Sequence, residues 1–352
     1  MMAGFGAMKD KEVDEKAEAI FQAEMHEHLG MMQKIEAAKI ETDNKQQVPV
    51  AKAPEPVSIS NFPNLEAEFK QQTNPNRMRP SKVFCGIVGH EGTGKSGIVI
   101  DGHMHKYPDG MLWALDFDNG AMACKEGHYP GSDEQIRTWV PWVYQKTDRT
   151  AYDYPATHNR VMNLLRYAVE YAESQTAVDF KGKKLRTFLI TAISQFDKMC
   201  MDIMKIYDLE LGEDAIGVAK KEINQEIGWS WGIRSTRFKQ LTAMCQKLNA
   251  LGVDVYLETH LKEDKDGKIG FDGWKFAWEK STNADLFQII WCHARKVRDE
   301  DGKDTGETRH IAEFFKEKTN SDLKDQERLY FVTKKGEPSE WIGLSELRDG
   351  VL

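Results

Sequence analysis

From residue 81 onward, short apolar runs alternate with longer stretches whose apolar residues recur every three or four positions. The first pattern predicts β-strands and the second predicts amphipathic helices. The predicted helices cover 96–104, 155–173 and 234–250, and the predicted strands cover 83–88, 111–115, 185–190, 253–257, 284–297 and 328–333. The last two strands are expected near a sheet edge. Strands that alternate with helices favour an α/β fold, a mostly parallel sheet with helices on both faces.

The first eighty residues follow a different pattern. Apolar residues recur at three- to five-residue steps between Lys9 and Asp43, which predicts an acidic amphipathic helical arm over 1–43. Such a narrow apolar stripe fits a solvated helix or a docking helix, and both interpretations stay open. Four prolines among polar residues between Asn44 and Pro63 predict an extended linker, which is assigned to 44–80. The main domain is then expected over 81–345, followed by a C-terminal tail over 346–352.

The composition of the chain bears on its partners and on the compartment in which it is found. The chain has 48 Lys and Arg against 56 Asp and Glu, a net charge of −8, which argues against a generally basic nucleic-acid coat but leaves room for a local basic patch. No apolar run approaches the roughly 18 residues of a membrane span, and the start of the chain leads into charged residues. Five cysteines without a Cys-x-x-Cys pair fit a reducing compartment, so a cytoplasmic protein is expected.

The most informative motif follows the first predicted strand. It has the phosphate-loop pattern of a Gly, four residues, and then Gly-Lys-Ser, with an apolar strand before it and a helix after it. A chance glycine-rich turn would not be expected to match the spacing, the Lys-Ser pair and both flanking elements. The predicted nucleotide-binding residues are Gly89, His90, Glu91, Gly92, Thr93, Gly94, Lys95, Ser96 and Gly97.

Each part of this motif has a chemical reason. Glycines allow positive φ angles and a close approach of the backbone to a polyphosphate. Successive N–H groups and the N-terminus of the following helix then attract the anion. Lys95 supplies a charge that reaches the β- and γ-phosphates, and the Ser96 hydroxyl is placed to bind Mg²⁺. The motif therefore predicts binding of ATP with Mg²⁺.

Hydrolysis of the nucleotide needs further acidic groups, and two follow the second predicted strand. Asp116 and Asp118 are two positions apart, so their side chains leave a strand on the same side. Asp118 is the first candidate for the base that polarises the attacking water, with Asp116 as a supporting or metal-shell residue. Two solvated carboxylates that cap the end of a strand are the alternative.

The order of these elements resembles the RecA-like ATPases. It runs from phosphate loop and helix to a strand ending in Asp116-Phe117-Asp118, a later apolar strand, and a helix–Gly–strand unit ending in Thr259-His260. Residues 229–238 and 253–262 are also similar to short phage-encoded members that act in single-strand annealing or recombination. The resemblance covers about 81–297, and only the phosphate loop is specific.

The resemblance implies roles for individual residues. The acid two places after the strand-end Asp is the catalytic carboxylate in this family, usually Glu, which corresponds to Asp118. A polar residue or His after the fourth strand senses the γ-phosphate, which suggests His260, although a capping or core histidine fits that position equally well. The family's third strand normally ends in a metal-shell Asp, whereas this chain has Thr191 there. A hydroxyl can bind a metal-bound water without adding charge, so slow hydrolysis, or a substitute role for Asp116, is expected.

The resemblance also implies an activity and partners. It implies an ATP-dependent protein that handles single-stranded DNA in recombination, annealing or replication, forms a homo-oligomer or filament, and is encoded by a phage or other mobile element and active in the host cytoplasm. Two alternatives stay open. One is a phosphate-loop NTPase motor or kinase with no DNA role, and the other is a nucleotide-gated binding or assembly protein with little turnover.

Overall fold

The computed structural model describes residues 79–177, 179–209, 231–263, 274–279 and 281–352. The predicted helical arm and nearly all of the predicted linker lie outside these residues. The described residues belong to a unit that spans Asn74–Leu352. Among the described residues, no helix is both long enough and apolar enough to cross a lipid bilayer.

Nine strands form one sheet among the described residues. Its strands are β1 (Phe84–Gly89), β2 (Met111–Leu115), β3 (Ile136–Trp139), β4 (Leu185–Ile190), β5 (Asp254–Thr259), β8 (Gln288–Arg298), β9 (Asp304–Glu317), β10 (Glu327–Lys334) and β11 (Glu340–Trp341). A separate antiparallel pair is formed by β6 (Leu261–Glu263) and β7 (Trp274–Phe276).

The strand order across the sheet is β11-β10-β9-β8-β1-β5-β4-β2-β3. Strands β8, β1, β5, β4, β2 and β3 pair in parallel, whereas β9, β10 and β11 extend the sheet in antiparallel fashion. This architecture confirms the predicted α/β fold class, a mostly parallel sheet with helices on both faces, for the described residues. The expectation that the strand at 284–297 lies near a sheet edge is wrong, because β8 pairs with β1 on one side and β9 on the other. Strand β9 escaped prediction since its sequence is charged and half-exposed.

Helices cover both faces of the sheet. They are α1 (Lys95–Lys106), α2 (Gly120–His128), α3 (Tyr154–Ser174), α4 (Ile193–Ile203), α5 (Trp231–Ala250), α6 (Thr282–Asp285) and α7 (Ser345–Arg348). The predicted helices correspond to α1, α3 and α5. The start of α3 is fixed by Asp153, whose carboxylate accepts a hydrogen bond of 2.9 Å from Ala156 N, with Pro155 in the first turn.

Alternation along the strands divides the core into two layers. On β2, Trp113 and Leu115 pack into the layer with α3, α4 and α5, while Leu112 and Ala114 pack into the layer with α1. Residues 346–352, expected as a tail, are part of the second layer, since Leu347 and Leu352 are buried. The carboxyl ends of the parallel strands meet at one edge, the place where open α/β sheets bind ligands.

Candidate nucleotide-binding site

The predicted phosphate loop connects β1 to α1. Gly92 has a φ of 72° and Gly94 a φ of 77°, the left-handed region that favours glycine. Gly94 is the residue that precedes the first turn of α1, and it has no side chain to cap the N–H groups there. These donors are therefore directed to a ligand position at the helix N-terminus, where the helix dipole also favours an anion.

Neighbouring strands hold this loop in place. A Cβ atom on Gly89 would lie 2.3 Å from the carbonyl oxygen of Cys292 on β8, so no other residue fits there without movement of the backbone. The Thr93 hydroxyl donates a 2.8 Å hydrogen bond to the carbonyl oxygen of His90, and the Tyr330 hydroxyl donates to that of Thr93. The loop is thus supported by β8, which is parallel to β1, and by β10 of the antiparallel extension.

Lys95 is buried against the loop. Its Nζ donates hydrogen bonds to the carbonyl oxygens of His90 at 2.8 Å and Gly89 at 3.3 Å. These contacts hold the ammonium group beside the loop backbone, while His90 and Glu91 are exposed at the turn. The predicted loop residues form one continuous structure at the carboxyl end of β1.

Glu258 is an acidic partner of the loop that sequence reasoning missed. The Ser96 hydroxyl donates a 2.8 Å hydrogen bond to Glu258 Oε2. Glu258 lies on β5, and the parallel register pairs it with Ile87 on β1. The signal in the sequence was an acidic residue directly after the apolar run 253–257, at a position that proves to be 2% exposed.

Burial determines the acidity of Glu258. Loss of solvation raises the pKa of Glu258 to about 8, and the nearby charges of Asp118 and Asp116 add to this effect. The Lys95 ammonium and the hydrogen bond from Ser96 act in the opposite direction. Among the described residues, Glu258 Oε1 has no hydrogen-bond partner although it is buried.

The structure places Asp116 and Thr191 in contact with each other. The Thr191 hydroxyl donates a 2.8 Å hydrogen bond to Asp116 Oδ1, and accepts one of 3.0 Å from Phe117 N. Both oxygens of Asp116 also accept backbone N–H groups at the start of α2, from Ala121 and Met122. Burial raises the pKa of Asp116, against these hydrogen bonds. The pair therefore anchors the chain that leads from β2 to α2.

Asp118 and His260 face each other across the site. Asp118 Oδ2 lies 3.8 Å from His260 Nε2, and the Asp118 side chain is 37% exposed. Burial, followed by the Lys95 charge, lowers the pKa of His260. A Cβ atom on Gly120 would lie 3.1 Å from Ser96 Oγ and 3.2 Å from Asp118 Oδ1, so these two oxygens border the same small residue. The fold thus gathers Lys95, Ser96, Asp118, Glu258 and His260.

A cavity of about 180 Å³ adjoins the start of α1. It is lined by Gly97, Cys124, His128, Tyr129 and Trp341. The rings of His128 and Trp341 are 6.2 Å apart at an interplanar angle of 28°. A Cβ atom on Gly97 would lie 2.8 Å from the Trp341 ring, so glycine is needed for this approach. Sequence reasoning missed the cavity because its walls come from α1, α2 and the two-residue strand β11.

The donor set fits a magnesium ion. Mg²⁺ prefers hard oxygen ligands and keeps several waters, with one or two protein ligands and the nucleotide phosphates. Ser96 and Glu258 offer a hydroxyl and a carboxylate at one point, and the buried Glu258 Oε1 has no other partner among the described residues. These residues would hold the ion, while Asp116 and Thr191 are bonded to each other.

Comparisons with known proteins find a remote structural likeness. The sequence matches no protein-family model and no curated protein sequence. Among solved structures, the fold is similar to that of the RadB recombinase, with a TM-score of 0.40 and 8% sequence identity over 72% of this chain and 88% of that one. A likeness this remote says nothing about activity, which has to be inferred from the side chains at the site.

Proposed function

We propose that this protein binds ATP with Mg²⁺, hydrolyses it slowly, and uses it to act on single-stranded DNA in recombination, annealing or replication. The observation that supports the nucleotide part is the convergence of the phosphate loop with Glu258 and Asp118 at one sheet edge. A bound magnesium ion supplies positive charge to the β- and γ-phosphates.

Each residue of the site has a separate proposed role in binding or hydrolysis of the nucleotide. Lys95 and the loop N–H groups bind and orient the phosphates. Ser96 and Glu258 would hold the Mg²⁺ ion. Asp118 accepts the proton of the attacking water, and His260, 3.8 Å from it, responds to the γ-phosphate. Asp116 with Thr191 keeps Asp118 in position through the start of α2.

The cavity beside α1 is the proposed place of the nucleobase. It adjoins Gly97, one residue beyond Ser96, and it offers the aromatic faces of His128 and Trp341. Flat heteroaromatic rings stack favourably on such faces. The phosphates and the base of one nucleotide would then lie on either side of the N-terminus of α1.

The DNA role and the assembly rest on the resemblance of the sequence to phage-encoded RecA-like proteins. Action on single-stranded DNA, a homo-oligomer or filament, and a phage or other mobile element as the source are parts of the same proposal. The alternative of a nucleotide-gated protein with little turnover is favoured by one observation. At the end of β4 this chain has the hydroxyl of Thr191, and that hydroxyl already donates a hydrogen bond to Asp116.

Two measurements test the proposal. We expect the parent to bind Mg·ATP and Lys95→Ala to lose at least tenfold in affinity. The control is Lys125→Ala, which removes a lysine of α2 that forms an ion pair with Asp133, and this variant should bind like the parent. Single-stranded DNA is expected to raise the ATPase rate. Equal ATP affinity of the parent and Lys95→Ala would contradict the nucleotide site, and DNA-independent turnover would favour a motor or kinase. Tight ATP binding without turnover would favour the nucleotide-gated alternative.

A further inference from the structure

A group of stacked aromatic residues lies between β3 and α3. We call Trp142, Tyr144, Tyr152 and Tyr154 the aromatic platform. The rings of Trp142 and Tyr152 stack with centroids 4.4 Å apart, and Tyr144 lies 5.1 Å from Tyr152. Tyr144 and Tyr152 are also joined by an antiparallel backbone bridge, which fixes the platform. Tyr144 is 52% exposed, so much of its side chain is open to solvent.

The aromatic platform leads into a cavity of about 200 Å³. Aromatic side chains form one side of this cavity, and the polar groups in its lining include Lys198 and Asp202 of α4. Sites for whole small-molecule ligands measure roughly 300–1,000 Å³. The cavity is therefore sized for one flat ring system rather than a complete nucleotide.

The polar groups around this cavity match a nucleic-acid strand. Asp202 is buried, and its Oδ2 has no hydrogen-bond partner among the described residues, so it is available to accept from the exocyclic amine of a base. Lys198 is exposed beside it. On the loop that carries Tyr144, Lys146 and Arg149 are exposed, and the described residues provide neither with an ion-pair partner.

We propose that the aromatic platform and its cavity bind single-stranded DNA, with one base stacked on Tyr144 and the next base inside the cavity. Stacking on aromatic side chains beside basic residues is how proteins bind single strands without reading a sequence. Bases in a duplex are paired and stacked on each other, so duplex DNA cannot enter the cavity. This inference rests on the proposed function and names the surface that would perform its DNA step.

The same surface contacts the nucleotide site. Phe117, which lines the cavity, stands between Asp116 and Asp118 in the chain. The Trp142 indole N–H donates a 2.9 Å hydrogen bond to the Phe117 carbonyl oxygen, and the two rings meet edge to face at 5.4 Å. A base in the cavity would contact Phe117, the residue next to Asp118. Binding of DNA could therefore change the position of Asp118 and with it the ATPase rate.

Binding of a fluorescent single-stranded oligonucleotide, followed by anisotropy, tests this surface. We expect Tyr144→Ala to weaken binding by roughly 5- to 100-fold, the loss of one stacked base, and Tyr144→Trp to bind like the parent. Tyr167→Ala is the matched control. Tyr167 lies on α3 and is 51% exposed, but its ring stacks on Trp113 of β2, away from the platform. It is expected to bind like the parent. Lys198→Gln is expected to weaken binding and to reduce its salt dependence.

The outcomes separate this inference from the proposed function. If the parent binds single-stranded DNA and Tyr144→Ala binds equally well, the platform is wrong and the proposed function stands. If Tyr144→Ala and Tyr167→Ala lose affinity equally, the platform is also overturned. If the parent binds no single-stranded DNA, both are overturned. Circular dichroism of each variant shows whether it is folded. If Tyr144→Ala is not folded, Lys198→Gln tests the surface instead, and an affinity and salt dependence equal to those of the parent would overturn the platform.

Discussion

Glu258 Oε2 lies 2.8 Å from Ser96 Oγ, so the buried carboxylate beside the phosphate loop comes from β5. The family resemblance predicted such a group at the end of β4, where this chain has Thr191 instead. The structure offers it from the adjacent strand because β5, and not β4, pairs with β1. The register of that pairing places Glu258 opposite Ile87, two residues before the loop begins.

Glu258 must ionise to bind Mg²⁺, so a substitution that prevents ionisation is expected to weaken the metal site. Glu258→Gln keeps the shape of the side chain and cannot offer an anionic ligand, so Mg²⁺-dependent ATP affinity should fall at least tenfold. Calorimetric titration of ATP with and without Mg²⁺ measures this. Glu317→Gln, another buried glutamate far along β9, serves as the control. If ATP affinity depended on Mg²⁺ in Glu258→Gln as it does in the parent, Glu258 would not be a ligand of the metal.

Asp118 is expected to affect turnover far more than binding. Asp118→Asn retains a side chain of the same size but cannot accept a proton, so the ATPase rate should fall about 10²-fold or more. ATP affinity should stay within a factor of about three, and Asp118→Glu should recover part of the rate. Steady-state kinetics and equilibrium binding measured on the same samples separate the two effects. A rate equal to that of the parent in Asp118→Asn would exclude it as the base.

Thr191→Asp is expected to damage the protein rather than restore a metal carboxylate. The new carboxylate would replace the hydroxyl that donates to Asp116 and would place two buried negative groups in contact. We expect a loss of several kcal/mol in the free energy of unfolding. Thr191→Val, which only removes a hydrogen bond, should cost about 1–3 kcal/mol. Urea denaturation measures both, and an Asp variant that is stable and faster than the parent would contradict this account.

Buried His103 predicts a loss of stability in acid. Burial lowers the pKa of His103 from 6.5 to about 4, so the folded chain binds fewer protons than the unfolded chain between these values. Stability is therefore complete above pH 6.5 and is lost as the pH falls toward 4, by up to about 3 kcal/mol. His103→Gln should show a weaker pH dependence in urea denaturation than the parent. His105→Gln, at an exposed position on the same helix, should retain the parent's dependence.

Trp341 is expected to contribute to binding of the base and not of the phosphates. Trp341→Ala removes one face of the cavity beside Gly97, so affinity for ATP should fall about tenfold. Affinity for inorganic tripolyphosphate should not change, because the loop residues that bind phosphates remain. Competition titrations with the two ligands measure the difference. A parallel loss for both ligands would mean that Trp341 acts only through packing against α1.

Much of the candidate site was encoded locally. The phosphate loop, Lys95 and Ser96 were identified from spacing alone, because a strand, a glycine-rich turn and a helix N-terminus are consecutive in the chain. The adjacency of Asp116 and Asp118 at a strand end was predictable for the same reason. The antiparallel strand β9 was not, since its exposed face is charged and gives no apolar run.

The α/β class, the phosphate loop and the strand that ends in two acids were readable from residue order, because these depend on periodicity and on neighbours in the chain. Three contacts were not: Glu258 with Ser96, Thr191 with Asp116, and Trp341 with Gly97. Strand order and register determine these contacts. Both follow from packing across the whole sheet, which joins residues as far apart as positions 97 and 341.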